Sequence, residues 1–129
     1  MNGRYLLDTN ILIALFANEA TVTDHLREAE EVFVPSVALG ELYYGAHKSS
    51  RVEGNIARIN DLASDSAVLV CDTETARQYG EIKNRLRQKG HPIPENDIWI
   101  AAIAIQNDLT LVARDAHFKA VDGLEVEAW

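Results

Sequence analysis

The sequence has 129 residues and a mass of 14.3 kDa, the size of one compact domain, so we expect a single domain over residues 1–129. Hydrophobic residues make up 47% and charged residues 25%, which argues against a fibrous repeat or a long disordered segment. The net charge of −8 argues against a uniformly basic nucleic-acid surface, although divalent cations bound at an acidic site would reverse the local charge.

Short β-branched runs alternate with longer helical stretches along the chain, which predicts an α/β fold with a parallel sheet sandwiched between helices. In chain order, the predicted elements are a strand at Arg4 to Leu7, helices at Asn10 to Asn18 and Thr23 to Glu30, a strand at Val32 to Val34, helices at Val37 to Lys48 and Glu53 to Ser64, a strand at Ala67 to Cys71, helices at Thr75 to Lys89 and Glu95 to Asn107, and strands at Thr110 to Ala113 and Leu124 to Glu127.

Two details of this pattern are specific enough to check. The helix from Glu95 to Asn107 is apolar nearly all round, so we expect it to be the most deeply buried helix. The single cysteine, Cys71, lies in an apolar strand-like run and is predicted to be a small buried side chain without chemistry of its own.

Membrane and secretory signals are missing from the sequence. The longest apolar run, Ile98 to Ile105, is far shorter than the roughly 20 residues that cross a bilayer. The start of the chain also lacks a charged and then apolar leader with a cleavage site. We therefore expect a cytoplasmic protein that has no membrane partner.

Four acidic residues follow the predicted strands in positions that should bring them together. Asp8 and Asp115 come just after two strands, and the carboxyl ends of parallel strands lie along one edge of a sheet, where α/β proteins bind ligands. Glu41 lies on the second turn of a helix that starts from the same edge. Asp97 lies in the first turn of another helix, where the helix dipole favours a carboxylate.

Each of these acids also has an ordinary structural explanation. Asp8 and Asp115 suit turns or helix N-caps, and Asp97 suits the dipole of its helix. Glu41 could be a surface acid of an amphipathic helix, but its sequence neighbours are apolar, so a carboxylate there is partly desolvated unless a cation or donor meets it. Taken together, the four acids favour a site for a hard cation.

Carboxylates without a histidine cluster indicate Mg²⁺ or a similar ion. Mg²⁺ takes oxygen ligands at about 2.1 Å and is typically held by one or two carboxylates plus substrate phosphate, whereas imidazole-rich sites suit zinc. A pair of such ions roughly 4 Å apart supports in-line hydrolysis of a phosphodiester. We assign Asp8 and Asp97 as direct ligands, and Glu41 and Asp115 as ligands of a second metal or anchors of its waters.

Four segments of the sequence resemble the motifs of PIN-domain nucleases, and specifically of VapC-type toxins: LLDTNILIALF, VPSVALGELYYGA, PENDIWIAAIAIQNDLTLVARDAHF and VDGLEVEAW. The resemblance covers essentially the whole chain, and the identity and order of the acids agree with it. It places the four acids named above at the catalytic positions, with Thr9 and Asn10 as polar supports of Asp8 and Asn96 beside Asp97.

The resemblance also implies a fold, a reaction and partners. We expect a PIN-like fold and an endoribonuclease that needs Mg²⁺ or Mn²⁺, cuts structured RNA such as tRNA, and is the toxin of a type II toxin–antitoxin pair. A VapB-like antitoxin would hold it inactive, and we expect a homodimer. The alternative is a PIN-fold RNA-binding or scaffold subunit that does not cleave, and metal-dependent cleavage of RNA would decide between the two.

Two further surfaces are candidates for partner contacts. Basic residues form two groups, which are either RNA contacts or ordinary solvated helix surface: Lys83, Arg85, Arg87 and Lys89 followed by His91, and His47 with Lys48 and Arg51. Because four crowded acids repel one another, we expect an inhibitory partner to place an arginine among them. Its apolar contact is expected next to Glu41, at residues that could instead pack the domain core: Val37, Leu42, Tyr43 and Tyr44.

Overall fold

The computed structural model describes residues 3–129 and contains a five-stranded parallel sheet flanked by helices. The elements of this range are β1 (Arg4–Leu7), α1 (Thr9–Phe16), α2 (Ala20–Glu28), β2 (Glu31–Pro35), α3 (Ser36–His47), α4 (Val52–Asp65), β3 (Ala67–Leu69), α5 (Thr73–Lys89), α6 (Glu95–Gln106), β4 (Thr110–Val112), a 3-10 helix (Ala116–Ala120) and β5 (Val126–Glu127). The predicted α/β class and parallel sheet between helices are confirmed.

The differences from the predicted elements are local. Helix α2 begins at Ala20, three residues earlier than predicted, and the 3-10 helix at Ala116–Ala120 was not predicted at all. The prediction that Cys71 is buried in a strand is wrong. Strand β3 ends at Leu69, and Cys71 is exposed in the short connection to α5.

The order of the strands creates a switch point at the centre of the sheet. The order is β3-β2-β1-β4-β5, and every neighbouring pair is parallel. The chain therefore moves outward from β1 to β3, then crosses back to place β4 on the other side of β1. A crevice forms outside the carboxyl ends of two strands at such a reversal, and here those strands are β1 and β4.

Helix α6 and the two central strands form the middle of the core. Ile100 and Ile103 of α6 are fully buried, as are Leu6 of β1 and Leu111 of β4. This confirms that α6 is the most buried helix, with six buried residues between Ile98 and Ala104. Because the body of α6 is packed on all sides, its first turn is held firmly at the edge of the sheet. Within residues 3–129 no helix is long and apolar enough to span a membrane.

A capping box ties the start of α5 to the end of α6. The Asp72 N–H donates to Thr75 Oγ1 at 3.0 Å, and the Thr75 N–H donates to Asp72 Oδ1 at 3.0 Å. Gln106 Nε2, at the end of α6, donates to the same carboxylate oxygen at 2.8 Å. Thr75 is fully buried, so its hydroxyl supplies hydrogen bonds that water cannot replace.

Replacing Thr75 with valine should therefore lower the free energy of unfolding by about 1–3 kcal/mol, the cost of leaving buried polar groups without partners. Urea unfolding measures this change. Thr73→Val is the matched control, because Thr73 is exposed at the first position of the same helix. Equal effects of the two substitutions would contradict the assignment of a structural role to the Thr75 hydroxyl.

Candidate functional site

A cleft of about 400 Å³ opens at the carboxyl edge of the sheet, beside the switch point between β1 and β4. All four acids that the sequence indicates line this cleft, and so do the three predicted polar neighbours, Thr9, Asn10 and Asn96. The remaining lining residues are Pro94, Glu95 and His117. The structure thus brings the predicted acids to one place, while their roles in chemistry remain predictions.

Asp8 is the buried acid of the cleft. It follows β1 directly, and its backbone N–H still donates to Val112 O of β4 at 3.0 Å. The side chain occupies the N-cap position of α1 without making a capping hydrogen bond, and the residue is only 5% exposed. Burial raises the pKa of Asp8 to about 6, and the negative charges of Asp97 and Glu41 act in the same direction. Helix capping therefore does not explain this aspartate.

Glu41 is oriented by a hydrogen bond between two helices. Thr9 Oγ1, at the start of α1, donates to Glu41 Oε1 on α3 at 2.8 Å. The resemblance suggested Thr9 as a support of Asp8, and its backbone N–H acts to lower the pKa of that carboxyl group. The hydroxyl group, however, supports Glu41. A single residue thus links the two acids on this side of the cleft.

His117 lies between the two acids on the other side of the cleft. Its Nε2 is hydrogen-bonded to Asp97 Oδ2, and its Nδ1 lies 2.7 Å from Asp115 Oδ1. Burial raises the pKa of Asp97, whereas the hydrogen bond from His117 opposes this rise. The histidine therefore lies between the two acids on this side of the cleft and limits the rise in the pKa of Asp97.

Asp115 has a capping role as well as a place in the cleft. Its Oδ1 accepts a hydrogen bond from the His117 backbone N–H at 3.1 Å, which starts the 3-10 helix. The ordinary explanation considered for this residue therefore applies, and it brings His117 into position. His117 was not predicted as a residue of the site. The available signal was its place two residues after Asp115, an aspartate that follows a strand, where an Asx turn is common.

The donor atoms of the cleft suit a hard divalent cation. They are carboxylate oxygens, and one belongs to a buried carboxyl group whose neighbours are also acidic. Among residues 3–129 no three acidic, histidine or cysteine side chains stand ready to hold a metal ion in their present arrangement. Mg²⁺ usually takes one or two protein carboxylates and completes its shell with water and phosphate.

The second basic group makes no contribution to this cleft. His47, Lys48 and Arg51 are all exposed and are not among its lining residues. The Lys48 ammonium lies 4.6 Å from the centre of the Tyr44 ring, a cation–π contact on the surface of α3. This group fits the description of solvated helix surface.

Replacing Asp8 with asparagine should stabilise the metal-free protein at pH 8. The folded-state pKa of about 6 lies above the ordinary value of 3.8, so ionised Asp8 destabilises the fold above pH 6, and this cost disappears as the pH falls to the ordinary pKa. Asparagine cannot ionise, so the gain should be about 1–3 kcal/mol at pH 8 and well under 1 kcal/mol at pH 4.

Urea unfolding in EDTA at the two pH values measures this gain, with Asp61→Asn as the control because Asp61 is exposed on α4. A variant less stable than the native protein at pH 8, or a gain that does not change with pH, would contradict the electrostatic account of Asp8.

Comparison with known proteins agrees with this geometry. The PIN domain family matches residues 5–124. Ribonuclease VapC2 of Haemophilus influenzae is 38% identical over 129 residues, covering 98% of each chain, and the tRNA(fMet)-specific endonuclease VapC of Salmonella typhimurium is 33% identical, also covering 98% of each. The VapBC2 complex of Rickettsia felis bound to a promoter DNA fragment superposes with a TM-score of 0.90 at 31% identity, covering 97% of this chain and 98% of that one. The chain belongs to the PIN-domain family, within the group that includes the VapC ribonucleases.

Proposed function

We propose that this protein is a metal-dependent endoribonuclease and the toxin of a VapBC-type toxin–antitoxin pair. The observation that carries the proposal is the meeting of four carboxylates in one cleft at the switch point, with Asp8 buried among them. Such a cleft is costly for the fold unless cations bind to it. The names of the relatives support RNA as the substrate, and the Salmonella typhimurium relative supports tRNA as the class.

We assign a different role in metal binding to each acid of the cleft. Asp8 and Asp97 would hold Mg²⁺ or Mn²⁺ directly, and Glu41 and Asp115 would hold a second ion or its waters. When bound, the ions would activate the attacking water and stabilise the leaving oxygen of the phosphodiester. Thr9 keeps Glu41 turned toward the cleft. His117 contacts one oxygen of Asp97 and one oxygen of Asp115, so each carboxylate would take up a cation through its other oxygen.

Cleavage should fail in Asp8→Asn and Asp97→Asn, because an amide oxygen does not supply the charge of the carboxylate ligand. Activity on a tRNA pool should fall by about 100-fold or more, on the scale of lost electrostatic stabilisation of a transition state. EDTA should abolish cleavage by the native protein, and Mg²⁺ or Mn²⁺ should restore it better than Ca²⁺, whose coordination shell is looser. Gel analysis of the RNA products measures each effect.

Asp61→Asn is the matched control and should cleave like the native protein, because Asp61 is exposed and lies outside the cleft. Full cleavage by either cleft variant would refute the assignment of ligands, and cleavage that resists EDTA would refute the metal. If the native protein binds RNA but does not cut it with any of these ions, the scaffold alternative is correct.

An apolar groove next to the cleft supports the antitoxin part of the proposal. This second groove, of about 270 Å³, shares Thr9 and Glu41 with the cleft, and its apolar lining includes Ile13 and Phe16 of α1 and Leu42 of α3. Ile13 is 51% exposed, a high fraction for a large apolar side chain. A partner segment lying here would reach the acidic cleft with its next residues, and an arginine could then bridge the carboxylates.

The groove replaces the aromatic surface that the sequence indicated beside Glu41. Val37 and Tyr43 are half-buried against the core, and Tyr43 Oη donates to Asn60 at 2.6 Å. Tyr44 is 65% exposed but does not line the groove. Only Leu42 of the four expected residues lines it, so the core-packing alternative is correct for Val37 and Tyr43.

Ile13→Glu should weaken binding of a VapB-like antitoxin by about tenfold or more, because a charge would enter an apolar contact. Val70→Glu is the control, since Val70 is similarly exposed at 64% but lies outside the groove. Titration calorimetry measures both affinities. If both substitutions have the same effect, or if reversing the charge of the antitoxin's arginines leaves inhibition intact, this mode of inhibition is wrong.

A further inference from the structure

A third concavity separates the exposed sides of α5 and α6, and we call it the α5–α6 groove. It encloses about 590 Å³, more than the acidic cleft. Its floor is apolar and consists of Leu86 of α5, Ile98 of α6 and Ile93 in the connection between them. Asn84 and Arg87 provide polar groups at its sides. A few polar groups around an apolar floor are typical of a ligand site.

The α5–α6 groove meets the acidic cleft at Glu95. This residue lines both concavities, and its carboxylate is hydrogen-bonded to Lys83 Nζ and to Tyr79 Oη. The Tyr79 ring stacks on Trp99 of α6, with ring centres 4.1 Å apart, which supports this junction from below. A chain molecule that lies in the cleft and passes Glu95 therefore enters the groove.

The basic residues of α5 are divided between two sides of the helix. Lys83 and Arg87 line the groove, whereas Lys89 donates to Asp122 at 2.7 Å on another side, where Arg85 also faces the charge of Asp122. The spacing predicted that only one pair could face the cleft, because the two pairs lie about 160° apart around the helix. The pair formed by Lys83 and Arg87 is the one next to the cleft.

Arg87 is the uncommitted cation of this groove. Lys83 is paired with Glu95, whereas Arg87 forms no ion pair within residues 3–129 and donates only to the neutral Asn84 Oδ1, at 3.2 Å. In a protein whose net charge is −8, an exposed guanidinium without an acidic partner is well placed to bind an anion. Arg87 lies beside an apolar floor, in a groove that meets the acidic cleft at Glu95. This combination suits a nucleotide, which has an apolar base face and a charged phosphate.

We propose that the α5–α6 groove binds a nucleotide of single-stranded RNA next to the bond that is cut. The base lies against the apolar floor near the amide of Asn84, and its phosphate pairs with Arg87. The floor is aliphatic, so the contact tolerates any base and adds affinity rather than sequence specificity. This inference rests on the proposed function, because it needs the scissile phosphate in the acidic cleft.

Two variants test the groove without touching its buried floor. Gly80→Leu places a side chain at the wall of the groove, where an added Cβ meets no atom within 4 Å, so the helix should tolerate it. Gly54→Leu is its control, because Gly54 is also helical with open space around it but lies on α4. Arg87→Gln removes the free charge, and Arg85→Gln is its control on the same helix.

The probe is a fluorescein-labelled 12-nucleotide single-stranded RNA of random sequence, followed by anisotropy in Ca²⁺ at several salt concentrations. We expect Gly80→Leu and Arg87→Gln to weaken binding about fivefold or more, the factor that corresponds to roughly 1 kcal/mol. Arg87→Gln should also reduce the slope of log affinity against log salt by about 0.7, the loss of one phosphate contact to a single strand. The two control variants should bind like the native protein.

The outcomes separate this inference from the proposed function. If the native protein cuts RNA and all four variants bind the probe equally well, the groove proposal is overturned and the nuclease stands. If the native protein neither binds nor cuts RNA, both proposals fail. If Gly80→Leu changes the sedimentation of the protein alone, with RNA affinity unchanged, the groove is a contact between copies of the chain and the nucleotide proposal is wrong.

Discussion

Asp8 is buried, so its ionised carboxylate destabilises the fold, and hydrogen bonds of its backbone fix its position. Its N–H is bonded to Val112 in β4, and its carbonyl oxygen accepts from Ile11 and Leu12 at the start of α1. The backbone is therefore fixed by the sheet on one side and by a helix on the other. Since α3 and α6 bring Glu41 and Asp97 to the same edge, negative charge accumulates at the switch point as a direct consequence of the topology.

His117 limits the rise in the pKa of Asp97 that burial causes. The imidazole lies between Asp97 and Asp115, so both of these carboxylates contact a side chain of the same domain. Within residues 3–129 Asp8 and Glu41 form no ion pair, and Glu41 accepts a hydrogen bond from the Thr9 hydroxyl. The cleft is thus asymmetric: Asp97 and Asp115 on one side contact the His117 ring, whereas Asp8 on the other side is buried beside Glu41 and has a raised pKa.

The sequence was sufficient for the features that depend on periodicity and strand order, and insufficient for those that depend on local backbone geometry. Apolar spacing located β1, α6 and the acids that follow or begin these elements. It did not predict the 3-10 helix, which forms because Asp115 bonds to the N–H two residues later, an arrangement that carries no apolar signature. The exposure of Cys71 was missed for a related reason: apolar residues continue beyond Leu69, but hydrogen bonding to β2 does not.

The negative charge of the whole protein and the proposed binding of RNA are compatible because the charges are distributed unevenly. Half of the 12 lysine and arginine residues form ion pairs with acids, which leaves them little free charge for a phosphate. An unpaired cation such as Arg87 therefore matters more here than it would on a basic surface. Its position in the groove that meets the carboxylate cleft would attract the proposed RNA substrate near the site where cations would reverse the charge of the acids, and the remaining acidic surface would disfavour binding elsewhere.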